Sequence, residues 1–411
     1  MPDPLKGESP SAAALPRRTR LRDIPGGIWA LGFVSMLMDI SSEMIHALLP
    51  VYLMTVLGTS ALAVGVIEGV AEATASIMKV FSGALSDRLG KRKWLAAFGY
   101  GLAALTKPIF PLASSVGWLV AARFIDRIGK GIRGAPRDAL VADIAPAHLR
   151  GASFGLRQSL DTIGAFLGPG LAIGLMWLTA NHFQTVFWIA VIPAVLSVLL
   201  IIFAVHDPER DGTTRAVRSP LSVEAMRRLG AAYWITVAIS TVFTLARFSE
   251  AFLILKAQAV GMPIFLVPLV LVLMNVVYAL TSYPIGVLSD RMSRVDLLAF
   301  GLVVLVVADI VLGFTTSLIG VAFGVALWGL HMGCTQGVVA ALVADTAPAE
   351  LRGTAFGVVN LLGGVMLLAA SVLAGLLWDQ TGAQGTFLAG AGFSVAALAG
   401  IVLVRNRLPH R

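Results

Sequence analysis

Long apolar runs are the feature that most limits how this chain can fold. Runs of about twenty apolar residues recur along its 411 positions, and 57% of the residues are hydrophobic whereas only 13% are charged. A soluble core could not bury this much apolar surface, whereas a helix of about 20 apolar residues crosses a bilayer. We therefore predict an all-α integral membrane protein that contacts the lipid bilayer along most of its length.

The apolar runs divide the chain into about twelve predicted transmembrane helices. The predicted spans are residues 27–57, 62–84, 94–112, 117–140, 152–178, 184–205, 231–257, 262–288, 296–315, 318–343, 353–378 and 385–405. The interval between the sixth and seventh spans is polar and basic, which is typical of a linker. The predicted organisation is a tail (1–26), a bundle of six helices (27–205), a linker (206–230), a second bundle of six (231–405) and a short tail (406–411).

The cations outside the predicted spans all lie on one side. Of the 31 Lys and Arg residues, 21 lie in segments 1–26, 85–93, 143–152, 206–230, 290–296, 346–352 and 405–411. The turns near 58–61, 111–117, 178–184, 257–263, 315–318 and 379–385 contain none. Since cytoplasmic loops carry the excess of cations, both termini are predicted to be cytoplasmic. The excess of cations that gives the net charge of +8 is therefore predicted to face the cytoplasmic surface of the membrane, and we expect no nucleic-acid binding.

The sequence repeats itself at about half its length. The segment ALVADIAPAHLRGASFG begins at residue 139 and returns as ALVADTAPAELRGTAFG at residue 341, an offset of 202. GALSDR at 83–88 returns as GVLSDR at 286–291, an offset of 203. Two matches at nearly the same offset indicate duplication of a six-span unit, and they predict two pseudo-symmetric bundles.

At these residues the chain resembles the major facilitator superfamily, a large group of secondary transporters built from two six-helix halves. GALSDRLGKRK at 83–93 is similar to the family's loop between helices two and three, and PAHLRG at 146–151 to its loop between helices four and five. The resemblance covers residues 27–405. It implies transport by alternating access without a cofactor.

The fifth predicted span carries a more specific resemblance. GLRQSLDTIGAFLGPG at 155–170 is similar to a glycine and proline motif common in proton-coupled exporters of that family. Ala172 and Ile173 stand where that motif usually has a glycine pair. The resemblance implies proton-coupled efflux, and it assigns helix packing to Gly155, Gly164, Gly168 and Pro169.

The repeated loops contain candidate gating residues. Gly83 permits close helix approach, and the Asp87 carboxylate can accept hydrogen bonds from a helix N-terminus or from Arg150. Such contacts would hold the cytoplasmic side shut and would break when the transporter opens inward. The residues given this gating role are Gly83, Asp87, Arg88 and Arg150 in the first half, and Asp290, Arg291, Asp345 and Arg352 in the second. The alternative is a charge cluster that only directs topology.

The fourth predicted span concentrates charge on one face. At 100° per residue, one face of about 140° contains Arg123, Asp126, Arg127, Lys130, Arg133, Arg137 and Asp138. A charge that faces lipid costs at least a few kcal/mol, so this face is predicted to line a central cavity or its cytoplasmic vestibule. The residues toward position 138 could instead be ordinary surface charges.

Carboxylates on neighbouring spans are predicted partners for these cations. Burial raises the pKa of a carboxylic acid and a nearby arginine lowers it, so an acid whose partner moves can bind and release a proton. We expect Asp39 or Glu43 opposite Arg123, and Asp161 beside Arg157; static ion pairs are the alternative reading. The predicted proton-coupling residues are Asp39, Glu43, Arg123, Asp126, Arg157 and Asp161.

The remaining polar groups of the spans are predicted to contact substrate. These residues are His46, Glu68, Glu72, Arg127, Arg247, Glu250, Asn275, His331 and Asn360. The sequence leaves three cargoes open: a small organic molecule exported against protons, a transition-metal cation, or an organic anion or siderophore taken up. No compact metal-binding spacing is present, and no residue is assigned to a metal. An intramembrane enzyme is disfavoured because catalytic motifs are absent, and a sensor is disfavoured because the predicted tails are too short for a soluble signalling domain. We expect a monomer.

Overall fold

All the regular structure in the described part of the protein is helical. The computed structural model describes residues 23–89, 91–146, 149–207, 226–289, 292–348 and 351–404, and these ranges contain helices and turns but no β-strand. The all-α prediction is confirmed. The predicted tails and linker lie mostly outside these ranges.

The helices follow the predicted order of twelve spans. Span 1 consists of Gly26–His46 and Leu49–Thr55, span 2 of Ala61–Leu89, span 3 of Arg92–Thr106 and Ile109–Leu112, span 4 of Val116–Ile144, span 5 of Arg150–Leu178, and span 6 of Phe183–Ala204. Span 7 consists of Ala231–Ala246 and Ala251–Ala259, span 8 of a 3₁₀ turn at Ile264–Leu266 followed by Leu269–Ser289, span 9 of Arg294–Phe314, and span 10 of Leu318–Thr346. Spans 11 and 12 lie within Arg352–Val404 and are divided at Gly382.

Ten stretches of the described chain are long and apolar enough to cross a membrane. Span 4 is not among them because of its charges, although its 29 residues are long enough. Arg352–Val404 contains 53 residues, and at 1.5 Å per residue this is about 80 Å, more than twice the thickness of a bilayer core. Gly382 has a φ of 72° and interrupts this helix, so the stretch crosses twice. Together with span 4, the described chain therefore contains twelve segments that are long enough to cross a bilayer.

A pair of equivalent contacts reflects the sequence repeat. Arg92 donates hydrogen bonds to the carbonyl of Ala139 at 3.2 Å and to the Asp143 carboxylate at 2.8 Å. Arg294 donates to the carbonyl of Ala341 at 3.3 Å and also pairs with Asp345. Each residue of the second set lies 202 positions after its counterpart. The same brace therefore joins spans 3 and 4 in the first half (spans 1–6) and spans 9 and 10 in the second half (spans 7–12).

The two halves meet closely at the end of the bundle that contains the cation-free turns. There span 2 packs against span 11, and a Cβ at Gly65 would collide with the carbonyl of Ser371. Asp379, at the end of span 11, accepts hydrogen bonds from the backbone N–H groups of Ala61 and Leu62, both at 2.9 Å. A carboxylate is favourable at a helix N-terminus, so Asp379 ties the second half to the start of span 2.

Two glycines of the fifth span permit close contact with span 1. A Cβ at Gly164 would lie 2.7 Å from the carbonyl oxygen of Met36, and one at Gly168 would lie 2.7 Å from Cβ of Glu43. Both glycines therefore lie at a close helix contact, as the predicted packing role requires. An added Cβ at Gly155 would meet nothing within 4 Å, so no close contact depends on that glycine. Pro169 lies inside the span 5 helix, one residue after Gly168.

Candidate functional site

Two adjoining cavities lie between the halves. The larger cavity has a volume of about 430 Å³ and the smaller one about 320 Å³. Both are lined by Glu43, Glu72, Lys130, Ala165 and Asn275, so together they form one central cavity. Spans from both halves contribute to its walls, which is the arrangement expected for a site that each half can release in turn.

A chain of buried ionic contacts begins beside the smaller cavity. Arg123 on span 4 and Glu68 on span 2 pair at 2.6 Å, and both side chains are almost fully buried. The Glu68 carboxylate also lies 3.5 Å from Nε2 of His46. The other ring nitrogen of His46 lies 3.4 Å from the Glu43 carboxylate. Charge-assisted contacts thus hold three spans together; Arg123 and Glu68 are closed to water, whereas Glu43 lines the cavity.

A second set of contacts continues along span 4. Lys107, in the turn that interrupts span 3, pairs with Asp126 at 2.8 Å and donates to the hydroxyl of Ser42 at 3.0 Å. Asp126 also lies 3.4 Å from Arg127, which in turn pairs with Glu72 at 3.1 Å. A buried lysine remains charged only with such partners, so Asp126 compensates two cations at once.

A third set of contacts lies around the larger cavity. Asp39 pairs with Arg133 at 3.5 Å. Asp161 pairs with Arg157 at 2.6 Å and lies 3.6 Å from Arg137. The Asp39 and Asp161 side chains are 24% and 15% exposed, so cavity water can reach both acids.

The predicted pairing of the acids is correct in part. Arg157 and Asp161 are partners as expected. The prediction for Arg123 is wrong, because its partner is Glu68 rather than Asp39 or Glu43. Arg123 and Asp126 are each only 2% exposed and pack between helices instead of lining the cavity. Helical periodicity placed all these side chains on the correct face, but it carries no information on which neighbouring helix lies opposite each one.

The second half places three of its predicted residues at the central cavity. Arg247 and Glu250 lie where span 7 is interrupted and line the smaller cavity, and Asn275 of span 8 lines both. Asn360 instead lines a third cavity of about 250 Å³, together with Gln336 and Arg247.

His331 does not lie where the sequence predicts it. It is fully buried and lines none of these three cavities. Its Nδ1 lies 2.9 Å from the carbonyl oxygen of Gly301, and its ring packs near Phe243 and Trp328. Span 10 turns this face toward span 9, so the substrate contact of His331 stays a prediction that this geometry does not support.

Four charged side chains at the central cavity have no ion-pair partner among the described residues. They are Lys79 of span 2, Lys130 of span 4, and Arg247 and Glu250 of span 7. The Arg247 guanidinium lies 5.8 Å from the Phe243 ring, and its charge is not neutralised there. The wall also includes the aromatic side chains of Phe248 and Trp328. This surface can bind a molecule that has both charged and apolar parts.

The sequence analysis did not predict a role for two residues that make buried or interhelical contacts in the structure. Lys107 is a single cation within the third apolar run, and that isolation is the signal that could have identified a buried partner for Asp126. Asp379 is a single acid next to a cation-free turn, and its spacing shows no pattern.

The predicted gating residues are described only in part. Gly83 lies beside Ala135 of span 4, Asp345 pairs with Arg294 in its own half, and Arg352 donates to the carbonyl of Ala344 at 3.2 Å. Arg150 is exposed. The side chains of Asp87 and Arg88, and all of Asp290 and Arg291, lie outside the described part, so the latch stays a prediction.

Comparison with known proteins places the chain in a family. A profile of the Major Facilitator Superfamily matches residues 31–255 and 237–411. The uncharacterized MFS-type transporter MJ1317 of Methanocaldococcus jannaschii is 32% identical over 93% of this chain and 95% of its own length. The quinolone resistance protein NorA of Staphylococcus aureus is 26% identical over 57% of this chain and 59% of its own length.

Solved structures agree on the fold. The nucleoside transporter NupG superposes with a TM-score of 0.73 at 14% identity, covering 93% of this chain and 99% of NupG. A bacterial homologue of the lysosomal transporter Spinster, in an inward-facing and unoccupied conformation, gives a TM-score of 0.72 at 16% identity, with coverages of 92% and 94%. The protein belongs to the Major Facilitator Superfamily and is a multi-pass membrane transporter.

Proposed function

We propose that this transporter exports a small organic molecule in exchange for protons, by alternating access across the cytoplasmic membrane of a bacterium. The observation that carries the proposal is the central cavity, which lies between the halves, is lined by ionisable groups, and is closed on one side by the contact of spans 2 and 11. With the cation-rich loops in the cytoplasm, the closed side faces outward, and the structure corresponds to an inward-facing state. Both termini are then cytoplasmic.

Proton coupling is assigned to the acids that cavity water reaches. Asp39, Glu43 and Asp161 line the larger cavity. Asp39 lies 3.5 Å from Arg133 and Asp161 lies 3.6 Å from Arg137, and a movement of span 4 relative to spans 1 and 5 could withdraw both arginines. Withdrawal of the cation favours the protonated acid, and its return favours proton release. Arg123 and Asp126 are sealed between helices, and we assign them to holding spans 2, 3 and 4 together.

The cargo is assigned by the chemistry of the cavity wall. Phe248 and Trp328 offer apolar contact, while Lys130, Arg247 and Glu250 offer unpaired charges of both signs. The similarity to NorA, named as a quinolone resistance protein, also favours efflux of an organic molecule. Transition-metal export is not proposed, because the described residues contain no group of three His, Cys, Asp or Glu side chains that could hold a metal ion.

Uptake of an organic anion is the second candidate. It is favoured by Lys130 and Arg247, two unpaired cations that line the smaller cavity from opposite halves. An anion bound by both would draw the halves together.

The cytoplasmic latch is proposed for the opposite, outward-facing state. Asp87, Arg88 and Arg150, with Asp290, Arg291, Asp345 and Arg352 in the second half, would then hold the inner side shut. Asp87→Asn should lower transport and leave thermal stability nearly unchanged; transport equal to that of the parent would contradict the latch.

Flux in proteoliposomes tests the proposed function. The probes are a labelled quinolone and a labelled organic acid such as citrate, each with an imposed pH gradient and with the gradient collapsed by an ionophore. Export predicts gradient-dependent movement of the quinolone accompanied by opposite proton movement. Movement of citrate alone would select the uptake candidate, and flux of the quinolone that ignores the gradient would contradict proton coupling.

A further inference from the structure

Asp309 is a buried acid of the second half that plays no part in the proposed cycle so far. It lies in span 9 and is 0% exposed. Neither of its carboxyl oxygens has a hydrogen-bond partner among the described residues. A buried polar group without a partner is rare and calls for a specific explanation.

Span 12 and the ring of Phe248 lie beside Asp309. A Cβ added at Gly390 of span 12 would lie 2.7 Å from Oδ2 of Asp309 and 2.9 Å from Cε1 of Phe248, so the carboxyl and the Phe248 ring flank the same point. The Phe248 ring packs in turn against Trp328 at 5.3 Å, Phe387 at 5.4 Å and Phe252 at 5.6 Å between ring centroids. An aromatic cluster therefore separates this carboxyl from the smaller cavity, which Phe248 and Trp328 line.

No described cation compensates a charge on Asp309. Arg247 precedes Phe248 in the chain, but its guanidinium lies over the Phe243 ring and the residue lines the smaller cavity. His331 of span 10 contacts span 9 at Gly301, about two turns away from Asp309. Spans 7, 10 and 12 thus bring no ion-pair partner to this carboxyl within the described chain.

We propose that Asp309 is a second proton-binding site, occupied by a proton in the inward-facing state and closed off from the cavity by Phe248. A buried ionised carboxylate without a donor is far less stable than the neutral acid, so the proton stays on the carboxyl oxygen. When water reaches the site, the O–H bond breaks, the proton passes to that water and the carboxylate remains.

The position of Phe248 explains how the site would open. Residues 247–249 interrupt the helix of span 7, so the backbone that carries Phe248 is not held by a continuous helical ladder. The N–H of Ser249 donates to the hydroxyl of Ser371 at 3.2 Å, and the carbonyl of Ser371 faces Gly65 where spans 2 and 11 meet. Separation of spans 2 and 11 on the outer side would therefore move residues 247–249 and the Phe248 ring. Water from outside could then reach the Asp309 carboxyl.

Infrared spectroscopy of the purified full-length protein in lipid nanodiscs tests the proposal without any substrate. The parent should show the C=O stretching band of a protonated carboxylic acid that persists at alkaline pH, and Asp309→Asn should remove it. Asp161→Asn, which alters an acid paired with Arg157, should leave the band in place. Loss of ionised carboxylate absorption in Asp309→Asn, with the protonated band unchanged, would overturn the proposal.

Two further variants keep the test decisive if Asp309→Asn folds poorly. Phe248→Ala should speed the shift of this band after transfer to D₂O, because the ring no longer excludes water. Gly390→Ala should change the frequency of the band, because the new Cβ would press on Oδ2. An exchange rate equal to that of the parent would refute the role of Phe248, and a band insensitive to both variants would show that it does not arise from Asp309. Neither readout depends on flux, so their outcome is separate from that of the proposed function.

Discussion

The ion pair between Arg123 and Glu68 illustrates the cost of charge inside this protein. Both side chains are buried and 2.6 Å apart. Removing one partner leaves the other as an uncompensated buried charge, which typically costs about 3–5 kcal/mol, whereas replacing both by apolar side chains costs much less. The pair therefore contributes to the arrangement of spans 2 and 4 more through its geometry than through its net energy.

We expect Arg123→Met to lower the free energy of unfolding by about 3–5 kcal/mol, and the double change Arg123→Met with Glu68→Leu to recover part of that loss. Thermal unfolding in detergent measures the shift. Arg150→Met, at an exposed position, serves as the control and should change stability little. A double variant no more stable than the single one would contradict this account of the pair.

The acids that line the central cavity should differ from this buried pair, because their loss should affect transport rather than stability. Neutralising Asp39 by Asp39→Asn should abolish gradient-driven flux, because this carboxyl no longer exchanges a proton, yet counterflow exchange of the quinolone should persist. Proteoliposome assays of both kinds measure the separation. Asp207→Asn, an exposed acid outside the cavity, should leave both activities unchanged. Loss of counterflow together with gradient-driven flux would instead indicate a role in binding or folding.

The sequence predicts which charged residues of a span share one face, but it does not predict which residues of the neighbouring spans pair with them. The face of span 4 was predicted as a set, whereas the partners of Arg123 and Asp126 depend on how spans 2 and 3 pack beside it. The interruption of span 7 at residues 247–249 has no proline or glycine to signal it. That interruption brings Arg247 and Glu250 to the cavity. Helical periodicity therefore could not predict their position there.

Contact between spans 1 and 5 depends on two glycines. A Cβ at Gly168 would lie 2.7 Å from Cβ of Glu43 and 2.9 Å from the carbonyl oxygen of Ile40. The fifth-span motif therefore has a direct packing role here, and it also fixes the height at which Glu43 faces the cavity. Gly155 takes no part in this contact, which shows that motif membership alone does not establish a role for each glycine.

We expect Gly168→Ala to destabilise the protein by about 1–3 kcal/mol, because the added methyl group forces spans 1 and 5 apart. Gly170→Ala is a matched control on the same helix, since a Cβ there meets nothing within 4 Å and alanine favours the helix. Thermal unfolding of the two variants measures the difference. Equal stability would show that the spans can separate at no cost.

At the end of the bundle that contains the cation-free turns, the two halves meet at the Asp379 carboxylate and at Gly65. Asp379 accepts two backbone hydrogen bonds from the first turn of span 2, and Gly65 allows that helix to approach Ser371. The duplication and the twelve crossings followed from the sequence because hydropathy and repeated motifs are properties of the whole chain. The closed side did not, because it is set by the relative position of the halves.

Asp379→Ala should shift the population toward the outward-open state, because the N–H groups of Ala61 and Leu62 lose their acceptor. Distances between spin labels at Thr59 and Gln380 measure this shift, and the distribution should move to longer values. Gln380→Ala, with the second label placed at Thr381 instead, gives the control. An unchanged distribution in Asp379→Ala would show that the apolar contacts alone hold this side closed.

The most direct test of the account asks whether a water-filled cavity between the halves opens to the cytoplasmic side. Ala165 lines both cavities, whereas the next residue, Phe166, is exposed on the outer surface of the bundle. With the single buried Cys334 replaced by serine, Ala165→Cys and Phe166→Cys are each treated with a membrane-impermeant thiol reagent in inside-out vesicles. The account predicts rapid labelling of Ala165→Cys and none of Phe166→Cys; equal labelling of the two, or labelling of Phe166→Cys alone, would contradict it.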